Sequence, residues 1–405
     1  MLNESKIFLD SSKSSEINVL IKNEFLENKK KFDNNKNNKK VKIRNPGIDL
    51  VRILGMYAII VHHILVHGQV LKKYSNYKEL QLINFSCNWH VNSFALISGI
   101  VGYKTHKYSN LLYLWICVVL YSVVIYFFAK KYRPFWSLYY TKLIYELFPV
   151  VSVRYWYFSA YFGMYLFLPI INKGVQVLTR KELKLVILSL IAIYIIWKDY
   201  LRQDSDVFCM NNGNSVLWLL IFYICGTYIG KYNSECYGKR KIIYCLTCII
   251  IFICSDYISY KMNFYGYIME KGFISKILIF IKSITVIRIN SIPMILEAIS
   301  ITLFLMQLKY NKYITKIITF FGPLTFGILL IHDNTILKEN VIRRLFNNYP
   351  YDLPLISVIK LIFMFATTIF FICGFIDYIR HLIFTFLRVR KLCIFLEKMV
   401  NKIVK

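Results

Sequence analysis

From Gly47 to Gly68 the chain reads GIDLVRILGMYAIIVHHILVHG, an apolar stretch that carries Asp49, Arg52, His62, His63 and His67. Ionisable groups in a segment this greasy are costly to hold in hydrocarbon and need a partner or a task. Arg52 and His63 are eleven positions apart. At about 100° per residue that step is three turns plus roughly 20°, so the two side chains share one helix face, about 16 Å apart along the axis. Asp49 lies three residues before Arg52, where it can pair with the guanidinium and sit at the helix N-terminus. An isolated arginine would be read as snorkelling to the interface, and an isolated histidine as satisfied by a neighbouring helix. An arginine and a histidine on one face, with three further ionisable groups, point to chemistry instead. Imidazole is the side chain whose ordinary pKa is nearest working pH, so His63 is the first candidate for a general base.

The elements that hold this face are set by composition. Of 405 residues 57% are apolar and 18% charged, and the mean hydropathy is +0.47. An ordinary soluble domain has about a quarter of its residues charged. The composition excludes a disordered regulator, a small disulfide scaffold and a water-soluble globule, and it fits a polytopic membrane helix bundle, all-α. Lys and Arg total 51 against 22 Asp and Glu, a formal charge of +29. No nucleic-acid-binding signature accompanies that charge, and basic cytoplasmic loops explain it. The ten cysteines form no framework; Cys245 and Cys248 make a C-x-x-C inside the apolar run 242–254, which reads as a lipid-buried thiol pair rather than a metal site, and no metal is expected.

Residues 1–44, with the Lys/Asn-rich run ENKKKFDNNKNNKKVKIR, read as a disordered basic cytoplasmic leader, and no signal peptide precedes the first apolar segment. The membrane domain extends over 45–385, and 386–405 reads as a basic cytoplasmic tail. Windows of roughly 20 apolar residues mark ten spans: 49–67, 85–103, 111–129, 155–172, 184–198, 216–230, 242–258, 291–308, 317–333 and 355–377. An eleventh candidate, 274–289, is interrupted by Lys276, Lys282 and Arg288. Both ends are basic, so both belong in the cytoplasm of a multi-pass cell-membrane protein, and the span number must be even. The basic loop 130–154 runs against this scheme, since ten spans put it outside. In this topology His63, the Asn88–His90 run, Trp156 and Tyr157, Glu297, and His332 to Asn334 all fall in the outer half of the bilayer. Separate segments therefore bring His, Glu and aromatic groups to one depth, as a site would. The aromatics taken singly would be an interfacial belt.

These segments resemble the acyltransferase family 3 membrane proteins, the O-acetyltransferases of bacterial surface polysaccharides. GIDLVRILGMYAIIVHH is similar to the family's first span, whose R-x10-H falls on Arg52 and His63. NSFALISGIVGYK (92–104) resembles the second, with Ser98-Gly99 at its Ser-Gly step. YWYFSAYFGMYLFLPIIN (155–172) and GPLTFGILLIHDN (322–334) resemble two later spans, the second of which places His332. The four occur in family order over about residues 45 to 380. Two positions depart. The R-x-x-R pair of many members reads Lys104-Thr105-His106-Lys107, which keeps charge but loses the guanidinium fork. Thr325 stands where Ser is usual.

The resemblance implies transfer of an acetyl group from cytoplasmic acetyl-CoA, or another acyl-CoA, to a hydroxyl of a capsular or exopolysaccharide sugar. It implies a polysaccharide or lipid-linked oligosaccharide acceptor, the bilayer as surroundings, no nucleic-acid partner, and a stand-alone enzyme without an appended soluble domain. The oligomeric state stays open. The expected roles are Arg52, Lys104 and Lys107 on the coenzyme phosphates and Asp49 orienting Arg52. His63 would be the base or a transient acyl carrier, His332 and Glu297 a second base or orienter, and Trp156, His90 and Asn334 the acceptor contacts. A flippase for a lipid-linked sugar or a glycan polymerase also fits the hydropathy. The first does not need Arg52 and His63 on one face, and the second calls for larger outer loops.

Overall fold

The computed structural model describes residues 44–132, 142–193, 209–232, 241–265, 289 and 291–403. The leader up to residue 43, Arg133 of the basic loop, residues 194–198 of the fifth expected span, the acidic loop at 199–206 and nearly all of the 274–289 candidate lie outside the described residues.

Every regular element among the described residues is helical. Helix α1 (Pro46–Val66) opens the bundle with Pro at its first position, where the missing N–H costs nothing. Two short helices, α2 (Val70–Lys73) and α3 (Glu79–Phe85), lead into α4 (His90–Gly102). The expected second span, 85–103, is thus only thirteen helical residues, about 20 Å of rise, against a hydrocarbon core of about 30 Å. Helix α5 (Tyr108–Lys131) is followed by α6 (Leu143–Leu147) and by α7 (Trp156–Val177), which continues through Pro169. Helix α8 (Arg180–Ile191) starts at a capping box of Thr179 and Glu182. Then come α9 (Val216–Tyr232), α10 (Lys241–Tyr265) and α11 (Ile292–Gln307). The expected span 317–333 is broken in two: α12 (Lys312–Phe321) and α13 (Thr325–His332) are joined by a 3-10 turn at Gly322–Leu324, where Pro323 has no N–H to continue the ladder. Helices α14 (Thr335–Asn340), α15 (Leu355–Phe386) and α16 (Val389–Ile403) complete the order.

Four of the described segments are long and apolar enough to cross a membrane: Pro46–Val66, Tyr108–Lys131, Lys312–His332 and Leu355–Phe386; shorter apolar helices accompany them. The polarity of α15 is that of a lipid-facing helix. Phe371, Ile372, Phe375, Leu382 and Ile383 are exposed, while Asp377 and Arg380 are buried, the reverse of a helix in water. The chain is a multi-pass membrane protein. The C-terminal segment read as a tail forms the amphipathic α16, which packs on α5: the Tyr108 N–H donates to Glu397 Oε1 at 2.6 Å and Arg390 Nη2 to Asn110 Oδ1 at 3.3 Å.

Helices α1 and α4 are antiparallel neighbours, with Gly55 against His90 and Phe94. Helix α4 packs on α9 at backbone distance: a Cβ on Gly99 would collide with the Tyr223 carbonyl, and one on Gly226 with the Leu96 carbonyl. This is the small-residue contact that brings membrane helices together. It uses Gly99 for packing and leaves Ser98, one residue earlier, free to face the other way.

Candidate functional site

Arg52 and His63 line one cavity of about 260 Å³. Its walls are largely apolar, with Met56 and Ile59 of α1, Phe94 and Ile97 of α4, Phe158 of α7 and Leu329 of α13 among them. Polar groups gather towards its ends. One end holds Arg52, Ser98 and Tyr161; the other holds His63, His90, Trp156 and Asp333. An apolar pocket with few convergent polar groups is the general form of a small-molecule site. The eleven-residue face read from α1 is therefore the wall of a cavity between α1, α4, α7 and α13.

At the arginine end, Nη1 of Arg52 donates to Asp49 Oδ1 at 2.8 Å. Asp49 is fully buried and fits because residue 322 is glycine: a Cβ there would fall within 2.8 Å of the Asp49 Cβ. Lys104 and Lys107 follow the C-terminus of α4 and so lie at this same end. Both are exposed and neither lines the cavity. Between them His106 packs its ring against Tyr108 and Tyr165, at 4.5 and 4.6 Å, and burial pushes its pKa down, with Glu397 opposing.

At the other end five histidines crowd together. The ring of His63 lies 5.0 Å from His67, 5.2 Å from His332 and 5.8 Å from His62. Nδ1 of His63 is 3.7 Å from Asp333 Oδ1, and the same oxygen takes the Lys338 ammonium at 2.8 Å. His332 bonds through Nδ1 to the Ile328 carbonyl at 2.6 Å, which fixes the proton on Nδ1; its buried Nε2 has no hydrogen-bond partner. His90 bonds through Nδ1 to the Cys87 carbonyl, and His62 through Nδ1 to Asn84 Oδ1 at 2.8 Å. The backbone thus sets the rings of His90 and His332, while His63 has the carboxylate of Asp333 beside it.

The remaining expected residues fall elsewhere. Asn334 is buried but does not line the cavity. It donates to the Tyr155 hydroxyl at 2.9 Å and accepts from the Ile336 N–H at 3.0 Å, so it caps α14 instead of facing an acceptor. Glu297 on α11 is buried and does not line the cavity. Helix α4 turns Ser93 to the Ala298 carbonyl of α11 at 3.4 Å and turns His90, Phe94 and Ser98 to the cavity. His332 stands behind His63 and is itself no part of the lining.

Sequence reasoning did not single out the cluster that fixes α13. Arg380 binds Asp377 through two parallel bonds, Nε to Oδ1 and Nη2 to Oδ2, each 2.8 Å. Its Nη1 donates to the Tyr113 hydroxyl at 2.8 Å, and the Tyr121 hydroxyl donates to Asp377 Oδ1 at 2.7 Å. A Cβ on Gly327 would occupy the space of the Asp377 carboxylate. The two glycines of GPLTFG each make room for a carboxylate: Gly322 for Asp49 of α1 and Gly327 for Asp377 of α15. Together they lock α13, with His332 and the following Asp333, against both helices. The available signal was the opposite charges three apart inside an apolar helix.

Among protein families, a family model described as an acyltransferase domain, that of acyltransferase family 3, matches residues 45–377. Neither a curated protein nor a solved structure matches the chain.

Proposed function

The chain belongs to the acyltransferase 3 family, and from that premise we propose that this membrane acyltransferase moves an acetyl group from cytoplasmic acetyl-CoA to a hydroxyl of a capsular or exopolysaccharide sugar. The observation that carries the reading is the single cavity lined at one end by Arg52 and at the other by His63. Ten spans with both termini in the cytoplasm put the Arg52 end inside, as the basic N- and C-terminal segments favour. The donor then enters from the cytoplasm. Arg52, with Lys104 and Lys107 at the mouth, holds its phosphates, and the thin apolar pantetheine arm runs along the cavity towards His63. Relatives of the donor with other acyl groups would enter the same way.

His63 removes the proton of the sugar hydroxyl as the oxygen bonds to the thioester carbonyl carbon. The adduct collapses with cleavage of the carbon–sulfur bond, and the coenzyme A thiolate leaves and recovers a proton from the His63 imidazolium. The Asp333 carboxylate, 3.7 Å from Nδ1, stabilises the transient imidazolium by its charge. Lys338 pairs with the same carboxylate oxygen at 2.8 Å and helps hold Asp333 in place. His90 and Trp156 line the acceptor side; Asp49 orients Arg52. Asn334 and Glu297 do not line this cavity, and no step is assigned to them. The polysaccharide or lipid-linked oligosaccharide is the acceptor partner.

Proton NMR of surface glycan from cells carrying the native chain or His63→Ala tests the reading. Loss of the O-acetyl signal, with the variant still inserted in the membrane at native level, is expected. Full O-acetylation by His63→Ala would overturn the base.

A further inference from the structure

The segment expected to be a tail is a regular helix of 15 residues, α16 (Val389–Ile403). At 1.5 Å per residue it is about 22 Å long, and it carries Arg390, Lys391, Glu397, Lys398 and Lys402, so it is too short and too charged to span a bilayer. Arg388 closes α15 with φ at 53°, the left-handed conformation that commonly ends a helix, and α16 starts at the next residue.

At about 100° per residue the side chains of α16 fall into three groups. Val389, Cys393 and Glu397 are four apart and face α5: Cys393 is fully buried, and Glu397 Oε1 accepts the Tyr108 N–H at 2.6 Å. Leu392, Phe395, Leu396, Met399 and Ile403 are 39–81% exposed and share an arc of about 100° on a second face. Lys391, Lys398 and Lys402 are all exposed and lie within about 40° of one another at the border of that arc.

A contiguous apolar stripe on a helix needs a cover, and its neighbours say which. The lipid-facing side of α15 ends at Phe386 and Leu387, both exposed, immediately before α16 begins, so hydrocarbon reaches the start of the stripe. A row of ammonium groups beside exposed apolar residues is the form of a helix lying in a bilayer surface, its apolar face among acyl chains and its lysines at anionic headgroups. A second copy of α16 would meet like charge, since Arg390, Lys391, Lys398 and Lys402 stand against Glu397 alone.

We propose that α16 lies in the membrane surface at the Arg52 end of the bundle and recognises anionic phospholipid headgroups. Anchored there, it braces the connection between α4 and α5. Glu397 satisfies an N–H of the first turn of α5 at Tyr108, whose ring packs on His106 at 4.5 Å, between Lys104 and Lys107. Arg390 Nη2 holds Asn110 of the same turn at 3.3 Å. Neither contact depends on which acyl group is moved or on what accepts it.

Hydrogen–deuterium exchange of the full-length chain, one copy per nanodisc, tests this in phosphatidylcholine alone and in phosphatidylcholine mixed with phosphatidylglycerol. Amides of α16 are expected to exchange roughly tenfold more slowly in the anionic discs, and those of residues 103–107 to follow. Lys391→Gln/Lys398→Gln/Lys402→Gln should remove the difference without changing exchange in α15, and the corresponding triple Arg variant should keep it. Equal exchange of α16 in the two lipids by the native chain would overturn the proposal, as would an undiminished difference in the folded glutamine variant. A second readout uses p-benzoylphenylalanine in place of Phe395, irradiated in proteoliposomes containing phosphatidylglycerol. Capture of lipid is expected; capture of a second copy of the chain instead would overturn the proposal, by making the apolar face an interface between copies.

Discussion

The proposed chemistry at His63 turns on Asp333, the carboxylate nearest its ring. That carboxylate is shared between the imidazole at 3.7 Å and the Lys338 ammonium at 2.8 Å. Replacing Asp333 with Asn preserves shape but removes the charge that favours the imidazolium during transfer. The expected result is a fall in kcat of roughly 10²–10⁴-fold, the span of general-base contributions, with the KM for acetyl-CoA little changed. Steady-state kinetics in detergent give both numbers, and a native kcat for Asp333→Asn would remove the carboxylate from the mechanism. Arg52→Lys makes the opposite split. The guanidinium fork is lost but the charge stays, so KM for the donor rises while kcat changes less. The two residues were not equally legible. Arg52 and His63 could be read because their relation lies within one helix, where 3.6 residues per turn fixes which groups share a face. Asp333 could be seen only as one of three polar residues at a span end. That it meets His63, while the adjacent Asn334 turns away to Tyr155, depends on how α13 ends and packs.

Helix α13 is held by ionic groups that membrane insertion makes expensive to disturb. Breaking the buried Asp377–Arg380 pair by Arg380→Met leaves a carboxylate uncompensated in the bundle. A loss of roughly 3–5 kcal/mol is expected, read as a large drop in the thermal midpoint of the detergent-solubilised protein. Two glycines give a sharper contrast. Gly327→Ala puts a methyl into the Asp377 carboxylate, so it should destabilise strongly. Gly374→Ala on the facing helix meets only Ile328 Cδ1 at 3.6 Å, ordinary contact distance, and should be tolerated. Equal midpoints for the two variants would contradict the packing described. At this scale the sequence yields helix existence well and helix limits poorly. Hydropathy windows find α1, α5 and α15. They merge α12 and α13 across Pro323, and they open the second span at residue 85, five residues before α4 begins, because apolar character continues where the backbone does not. The 377 end assigned to the last span hid Arg380, which the helix carries well inside its 355–386 length.

For the molecule as a whole, the account is a bundle with a donor end and an acceptor end. Sealed vesicles of known orientation should then show sidedness. Acetyl-CoA supplied on the face bearing the N-terminus should support acyl transfer, and acetyl-CoA supplied only on the opposite face should not. The fold class was legible in composition, since a chain with 57% apolar and 18% charged residues has few soluble solutions. The family pattern was legible in four motifs, and the structure gives two of them a physical reason. The Ser-Gly step puts Gly99 against α9 and Ser98 on the cavity, and the glycines of GPLTFG admit two carboxylates. The main cavity, lined by residues spread between 52 and 333, has no linear signature beyond the Arg52–His63 face.

The central claim is that a thioester reaches His63 through the cavity that begins at Arg52. Photolabelling tests it most directly, with a coenzyme A thioester whose short acyl group carries a diazirine, followed by peptide mass spectrometry. The account predicts adducts on residues at the His63 end of the lining, such as His63, His90, Trp156 or Asp333. It also predicts strong attenuation of that labelling in Arg52→Gln and by excess acetyl-CoA. Specific, acetyl-CoA-protected labelling confined to α11 around Glu297, or to the exposed Lys104–Lys107 connection, with none in the cavity, would contradict it.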